Sequence, residues 1–225
     1  KYTLHKSLHE NMYKIGCLFS NNFKEDNKDK ILNEIGLDSS KLVVTFYDSP
    51  VNNSMRFPQS LFDSFRKVIL EVERAYPDIQ IVLKPKVVTD EYREFFKNTS
   101  VTLLDSDDVF LGDIIRISTL NIGMGIVAPI TISLIMGKQG LFFDTAGNYD
   151  TPFAKYEGEV VFRSKNELLK RVFDILNKDI KPQVYIDELV DFNVIGSDPI
   201  NILRKYILTG IDRKSTRLNS SHTSI

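Results

Sequence analysis

One stretch of this sequence has the residue types and spacing of an anion site. In residues 120–144, LNIGMGIVAPITISLIMGKQGLFFD, the glycines of Gly123-Met124-Gly125 separate an apolar run from a segment that carries Thr131 and Ser133. Glycine lets the backbone come close to a ligand, and the start of the next helix offers unpaired N–H groups and a positive dipole end. Neither a dinucleotide fingerprint nor a Walker lysine is present, so an ordinary strand-to-helix turn remains the alternative.

Further polar residues follow the other predicted strands at the point where each strand ends. Because the carboxyl ends of parallel strands meet at one edge of an open α/β sheet, we expect these residues to gather where ligands bind. Two lysines, glycines and a hydroxyl-bearing helix start suit a phosphate, although loops are polar in any protein. The candidate binding residues are Gly123, Gly125, Thr131, Ser133, Lys84, Lys86, Asp48, Ser49 and Asp144.

Two of these candidates have a second possible role that does not involve a ligand. Ser133 either adds a hydroxyl to the site or faces the core, since Ile132 and Leu134 beside it are apolar. Lys84 either supplies a positive charge from the side or is a solvated surface lysine.

The elements that must position these residues alternate along the chain. Short apolar runs predict strands that begin near Leu42, Ile79, Val101, Leu120, Gly140 and Val160. Segments with helical spacing of apolar residues separate them, and Phe65 and Val68 are predicted core residues of one such helix. The alternation predicts an α/β fold, a Rossmann-like open parallel sheet with helices on both faces.

Several residues are predicted to begin helices. Ser60 to Asp63 and Ser164 to Glu167 have the spacing of capping boxes. Thr89 or Asp90 is predicted to cap a third helix, and Asp107 or Asp108 a fourth. Asp198-Pro199 predicts the start of the last helix.

Composition bounds the function further. The 225 residues carry a formal net charge of −1, so no field that would attract nucleic acid is expected, and a single cysteine, Cys17, allows no internal disulfide. We expect no cofactor and no metal. The cluster of Asp105, Asp107 and Asp108 could hold a hard cation, but a helix cap by Asp107 or Asp108 is the favoured interpretation.

Both ends of the chain have unusual sequence. The chain begins at Lys1, which suggests a fragment whose residues 1–13 end a missing domain or linker. Residues 212–222 read like an in-frame translation of a sequencing adapter. We therefore predict that 212–225 is a non-native tail without packed contacts, and that one domain spans 14–211.

The order of these elements resembles the C-terminal, donor-binding domain of GT-B fold glycosyltransferases of capsule and surface polysaccharide biosynthesis. The segments that carry the resemblance are 36–46, with its glycine before a buried strand, Ile81 to Lys86, Ala128 to Lys138 and Phe192 to Ile207. The second is similar to a lysine-proline-histidine-type turn, with Lys86 where histidine is usual. The third resembles a hydroxyl-rich helix start, with Ile130 and Ile132 in place of phenylalanine and serine.

The resemblance implies that the candidate residues bind the nucleotide-sugar donor, while the missing domain binds a glycan or lipid-linked acceptor. It implies glycosyl transfer by the full-length protein, an inactive fragment alone, and a cytoplasmic location with peripheral association at the inner face of the membrane. Two other functions remain open: a nucleotide-sugar epimerase with the same fold, and a non-catalytic α/β binding module.

Overall fold

Six strands and six α-helices alternate along the part of the chain that the computed structural model describes, residues 28–48, 58–105, 108–147, 152–178 and 180–182. The strands are β1 Val43–Tyr47, β2 Gln80–Leu83, β3 Thr102–Leu103, β4 Leu120–Met124, β5 Gln139–Phe143 and β6 Val161–Phe162. The helices are α1 Lys28–Glu34, α2 Gln59–Ala75, α3 Asp90–Phe96, α4 Leu111–Ile117, α5 Ala128–Ile135 and α6 Lys165–Lys178. A 3-10 helix, Pro152–Tyr156, precedes β6.

The strands form one open sheet in the order β3-β2-β1-β4-β5-β6. Every pairing is parallel, as the alternation of apolar runs and helices predicts. The register sets Tyr47 of β1 beside Gly123 of β4, and Phe46 of β1 beside Leu83 of β2. The carboxyl ends of these three strands therefore lie side by side.

Alternating strand residues face opposite layers of helices. One hydrophobic cluster joins Phe46 of β1 and Ile122 of β4 to residues of α2, α3 and α6, including the predicted core residues Phe65 and Val68. Both predicted core residues are buried. Helices α1, α4 and α5 pack on the other face, so the sheet is covered on both sides as expected.

The second face contains a row of buried hydrogen bonds. The Thr45 and Ser118 hydroxyls are 2.6 Å apart, and the Tyr47 hydroxyl donates to Asn121 Oδ1 at 2.9 Å. Desolvation by burial raises the pKa of Tyr47 well above its usual value. Burial of a polar group costs little free energy when the group has a hydrogen-bond partner. These bonds connect β1 to α4 and to β4.

The helix starts correct part of the sequence analysis. Helix α2 begins at Gln59 with Pro58 at the N-cap, so Ser60 lies inside the helix and does not cap it. Helix α4 has Phe110 at its N-cap, and the Asp108 carboxylate instead accepts the backbone N–H of Asp105. No side-chain hydrogen bond caps either of these two helix starts.

Two other predicted starts agree with the structure in position. Helix α3 has Thr89 at its N-cap, although its hydroxyl makes no capping bond, and α6 begins at Lys165, directly after Ser164. Asp107, Asp198 and the tail 212–225 lie outside the described residues.

Residues 22–185 form one compact unit that contains all the elements above, and residues 1–21 and 186–225 lie outside the described part. None of the described helices has the length and apolar character needed to cross a lipid bilayer.

Candidate functional site

The strand order reverses between β1 and β4, and that point defines the candidate site. From β1 the chain proceeds outward through β2 and β3, and it then returns to the other side of β1 as β4. In open α/β sheets, ligands bind at the carboxyl ends of the strands where the order reverses. Asp48 follows β1 and Gly125 follows β4, so both lie beside this crevice.

The turn between β4 and α5 has the features of an anion site. Gly125 has φ 69°, a left-handed conformation that favours glycine, and its N–H donates to Phe143 O at 2.6 Å. Helix α5 starts immediately afterwards, with Val127 at the N-cap and no side-chain capping bond.

The first turn of α5 leaves few N–H groups for a ligand. The first four N–H groups of a helix have no carbonyl partner within the helix. Pro129 has no N–H, and the N–H of Ile130 donates to Val127 O at 3.2 Å. Of these four, the N–H groups of Val127 and Ala128 are therefore the candidates for contact with an anion.

Gly123 serves the packing of α5. A Cβ atom added at this glycine would lie 2.4 Å from a Val127 methyl carbon and 2.5 Å from Ile130 Cγ1. The absence of a side chain therefore lets α5 start close to β4. Gly123 thus serves the packing of α5 beneath the turn at Gly125.

Ser133 faces the core, the second of its two expected alternatives. It is fully buried, and its hydroxyl donates to Gln139 O at 3.2 Å. Thr131 is half-buried on the same helix. Of the two predicted hydroxyls, only that of Thr131 remains a candidate ligand contact.

Lys84 is not the solvated lysine of the alternative interpretation. It is buried, and its Nζ donates to Asp105 O at 2.6 Å, which joins the ends of β2 and β3. Lys86, two residues further, is exposed. Ser49 lies outside the described residues.

Asp144, which follows β5, binds other residues of the protein. Its carboxylate is fully buried and forms an ion pair with Arg163, which follows β6. Arg163 Nη1 also donates to Asp144 O at 2.8 Å, and Gly147 N donates to Asp144 Oδ1 at 3.3 Å. The Asp144 carboxylate therefore stabilises the fold through these contacts and is not exposed for a ligand.

We expect Arg163→Met to destabilise the fold by about 3 kcal/mol, because it leaves the buried Asp144 carboxylate without its cation. Chemical denaturation measures the loss. The matched control is Lys178→Met, which removes an exposed cation that pairs with Asp174 on the surface of α6 and should change stability by less than about 0.5 kcal/mol. Equal effects of the two substitutions would contradict the structural role of Arg163.

Asp48 is the most perturbed carboxyl group at this edge. Its Oδ2 accepts a hydrogen bond from the Tyr92 hydroxyl of α3, and its Oδ1 is buried without a hydrogen-bond partner in the described part of the chain. Burial raises the pKa of Asp48 from 3.8 to about 7, and the Arg66 guanidinium lowers it only in part. The guanidinium of Arg66 is bound to Glu91 at 2.8 Å.

This pKa predicts a pH-dependent stability. Between about pH 4 and pH 7 the folded protein binds a proton that the unfolded chain has released, so stability falls as pH rises, by up to about 1.4 kcal/mol per pH unit. Asp48→Asn should remove this slope. Asp174→Asn is the control, because the Lys178 hydrogen bond lowers the pKa of Asp174 out of this range. A wild-type slope that survives in Asp48→Asn would contradict the assignment.

Sequence reasoning missed the residues that surround Asp48. Tyr92 has the position of an apolar residue of α3, and Arg66 is not among the predicted site residues. Their roles depend on how two helices pack over one strand end, and local periodicity carries no signal for this. Among the described residues no cluster of three or more His, Cys, Asp or Glu side chains could hold a metal ion.

The fold is that of a Rossmann-like domain of the GT-B type, an open parallel sheet of six strands between two layers of helices. It is shared with UDP-GlcNAc 2-epimerase from Methanocaldococcus jannaschii, with a TM-score of 0.54 and 14% identity over 84% of this chain and 50% of that chain. A structure of that enzyme in complex with UDP-GlcNAc and UDP gives a TM-score of 0.52 and 14% identity over 90% of this chain and 57% of that one. A variant of the wall teichoic acid polymerase TagF gives 0.49, with 15% identity over 87% and 49% of the two chains.

The likeness concerns the fold alone, because the identity is low. The present chain spans about half the length of these solved structures. Neither a protein-family model nor a curated protein matches the sequence.

Proposed function

We propose that this chain is the donor-binding half of a glycosyltransferase of polysaccharide biosynthesis, and that it binds the diphosphate of a nucleotide sugar at the carboxyl edge of its sheet. The observation that carries the proposal is the turn at Gly125, which joins a left-handed glycine to the uncapped start of α5 beside the strand-order reversal. Anions bind at such helix starts because N–H groups and the helix dipole both favour negative charge.

The charges at this edge support the same ligand. Lys84 is held at the end of β2, the strand next to β1, and Lys86 is exposed beyond it. When the bond from the sugar to the diphosphate breaks, negative charge builds up on the departing phosphate. Fixed N–H groups and nearby lysines stabilise that charge without reorganising during the reaction.

Acceptor binding and base catalysis are assigned to a second domain of the proposed enzyme. We propose that a second domain binds the glycan or lipid-linked acceptor and supplies any catalytic base. We further propose a cytoplasmic protein that associates with the inner face of the membrane through its acceptor.

Thr131→Ala should weaken nucleoside-diphosphate binding by about ten- to a hundred-fold. A hydrogen bond to a charged group contributes roughly 1.5–3 kcal/mol, and Thr131 is the hydroxyl on α5 that does not face the core. Calorimetric titration of the full-length protein with a panel of nucleoside diphosphates measures the change. Ser133→Ala is the matched control, since its buried hydroxyl donates to Gln139 O and should not affect affinity.

A second candidate, a nucleotide-sugar epimerase, has a specific observation in its favour. Two likenesses with TM-scores above 0.5 are to UDP-GlcNAc 2-epimerase. Incubation of the full-length protein with UDP-GlcNAc alone separates the two candidates: an epimerase converts the sugar without an acceptor, whereas a glycosyltransferase requires one. A protein that binds no nucleotide would instead be the non-catalytic module.

A further inference from the structure

Asp48 places a carboxyl group in the middle of the proposed phosphate-binding edge. It follows Tyr47, which is paired with Gly123, and on its other side the N–H of Lys84 donates to Phe46 O at 2.8 Å. Neighbouring strands lie about 4.8 Å apart, so the backbone of Asp48 lies between the ends of β2 and β4, and β4 leads into the turn at Gly125. A carboxylate at this position would repel a diphosphate.

The groups that face Asp48 offset its charge only in part. From α3, the Tyr92 hydroxyl donates to Oδ2. From α2, the Arg66 guanidinium is paired with Glu91, and it packs over the Tyr92 and Phe95 rings at 5.3 and 5.0 Å. From β2, the Lys84 ammonium donates to Asp105 O.

The second carboxyl oxygen has unused hydrogen-bonding capacity. Oδ1 is buried and has no partner among the described residues. An ionised carboxylate in this position is costly, because it loses hydration that the attraction of Arg66 offsets only in part, and its Oδ1 gains no hydrogen bond from the described residues. The neutral carboxyl group avoids that cost and places no negative charge beside the site.

We propose that the nucleotide-sugar site takes up one proton together with its ligand, and that Asp48 carries this proton in the complex. The inference rests on the proposed function. Free Asp48 carboxylate, a proton and the nucleotide sugar combine into a complex that contains the neutral carboxyl group, so atoms and charge balance. The negative diphosphate stabilises the protonated form of Asp48, and by reciprocity the proton strengthens binding of the diphosphate.

The proton linkage gives binding a defined pH dependence. Since Asp48 in the free protein loses its proton around neutral pH, affinity should be constant at lower pH and should fall above neutrality. The limit for one proton is a tenfold loss of affinity per pH unit. Lysine and tyrosine groups at ordinary pKa values do not titrate in this range.

The experiment uses the full-length protein and UDP-GlcNAc as the probe. The phosphates of this diester carry constant charge near neutral pH, whereas the terminal phosphate of a nucleoside diphosphate titrates near pH 6. Calorimetry at about pH 6 and about pH 8, in buffers of different ionisation enthalpy, gives both the affinity and the number of protons taken up. We expect about tenfold weaker binding and close to one proton taken up at the higher pH.

The Asp48→Asn variant should bind UDP-GlcNAc equally at both pH values and take up no proton. Tyr92→Phe is the second variant, because the Tyr92 hydroxyl favours the ionised carboxylate, and its loss should move the fall in affinity to higher pH. A purely structural role of Asp48 would lower affinity equally at both pH values. Both variants are compared with wild type by circular dichroism, and if Asp48→Asn does not fold, the shift in Tyr92→Phe decides the question.

Three results would overturn the inference. UDP-GlcNAc binding without proton uptake would overturn it and leave the proposed function standing. A wild-type pH profile in Asp48→Asn, or an unshifted profile in Tyr92→Phe where Asp48→Asn does not fold, would assign the proton to another group. Failure of UDP-GlcNAc to bind at either pH would overturn both the inference and UDP-GlcNAc as the ligand of the proposed function.

Discussion

The Phe65→Ala variant should lose about 3–5 kcal/mol of its free energy of unfolding. Phe65 is 2% exposed and joins two strands through its ring. It meets the Phe46 ring edge-on, with centroids 5.7 Å apart, and stacks on the Phe143 ring at 6.3 Å. Truncation removes the transfer free energy of the ring and leaves a cavity between α2 and the sheet.

Urea denaturation followed by circular dichroism measures this loss. The control is Val87→Ala, which shortens a hydrophobic side chain that is 58% exposed and should change stability by less than about 0.5 kcal/mol. The slope of the free energy against urea should stay the same in both variants, since neither changes the surface exposed on unfolding. A loss below about 1 kcal/mol in Phe65→Ala would contradict the described core.

Gly125→Leu should weaken nucleotide binding by at least the ten- to hundred-fold expected for Thr131→Ala. A side chain at this turn blocks the close approach of a phosphate to the start of α5, and the left-handed backbone adds strain of about 1–2 kcal/mol. Calorimetric titration with nucleoside diphosphates measures the affinity, and denaturation measures the strain.

Gly137 offers a matched control for Gly125. It lies at the other end of α5, has φ 65°, and has no atom within 4 Å of the position that a Cβ would occupy. Gly137→Leu should therefore cost a similar backbone strain but leave nucleotide affinity unchanged. If both variants lose the same affinity, the turn at Gly125 is only a turn.

The fold could be predicted from the sequence because its strands and helices have different apolar patterns. Buried strands such as Val43–Tyr47 are short continuous apolar runs, and helices such as Gln59–Ala75 repeat their apolar residues at helical spacing. Helix starts could not be predicted as well. Ser60 has the spacing of a capping box, yet Pro58 holds the N-cap of α2 without a side-chain capping bond.

The candidate site could be predicted only in outline. Position in the sequence relative to strand ends places Asp48, Lys84 and Gly125 at one edge, since parallel strands bring their carboxyl ends together. The chemical state of each residue depends on neighbours that are distant in the chain. Tyr92 binds Asp48 from 44 residues away, and the Arg163 side chain is bound to Asp144 across 19 residues.

A crystal structure of the full-length protein with its best-binding nucleoside diphosphate tests the central claim most directly. We expect the diphosphate over the start of α5, with phosphate oxygens about 2.7–3.2 Å from the backbone nitrogens of Val127 and Ala128. A diphosphate bound elsewhere, or no binding by any nucleoside diphosphate at millimolar concentration, would contradict it.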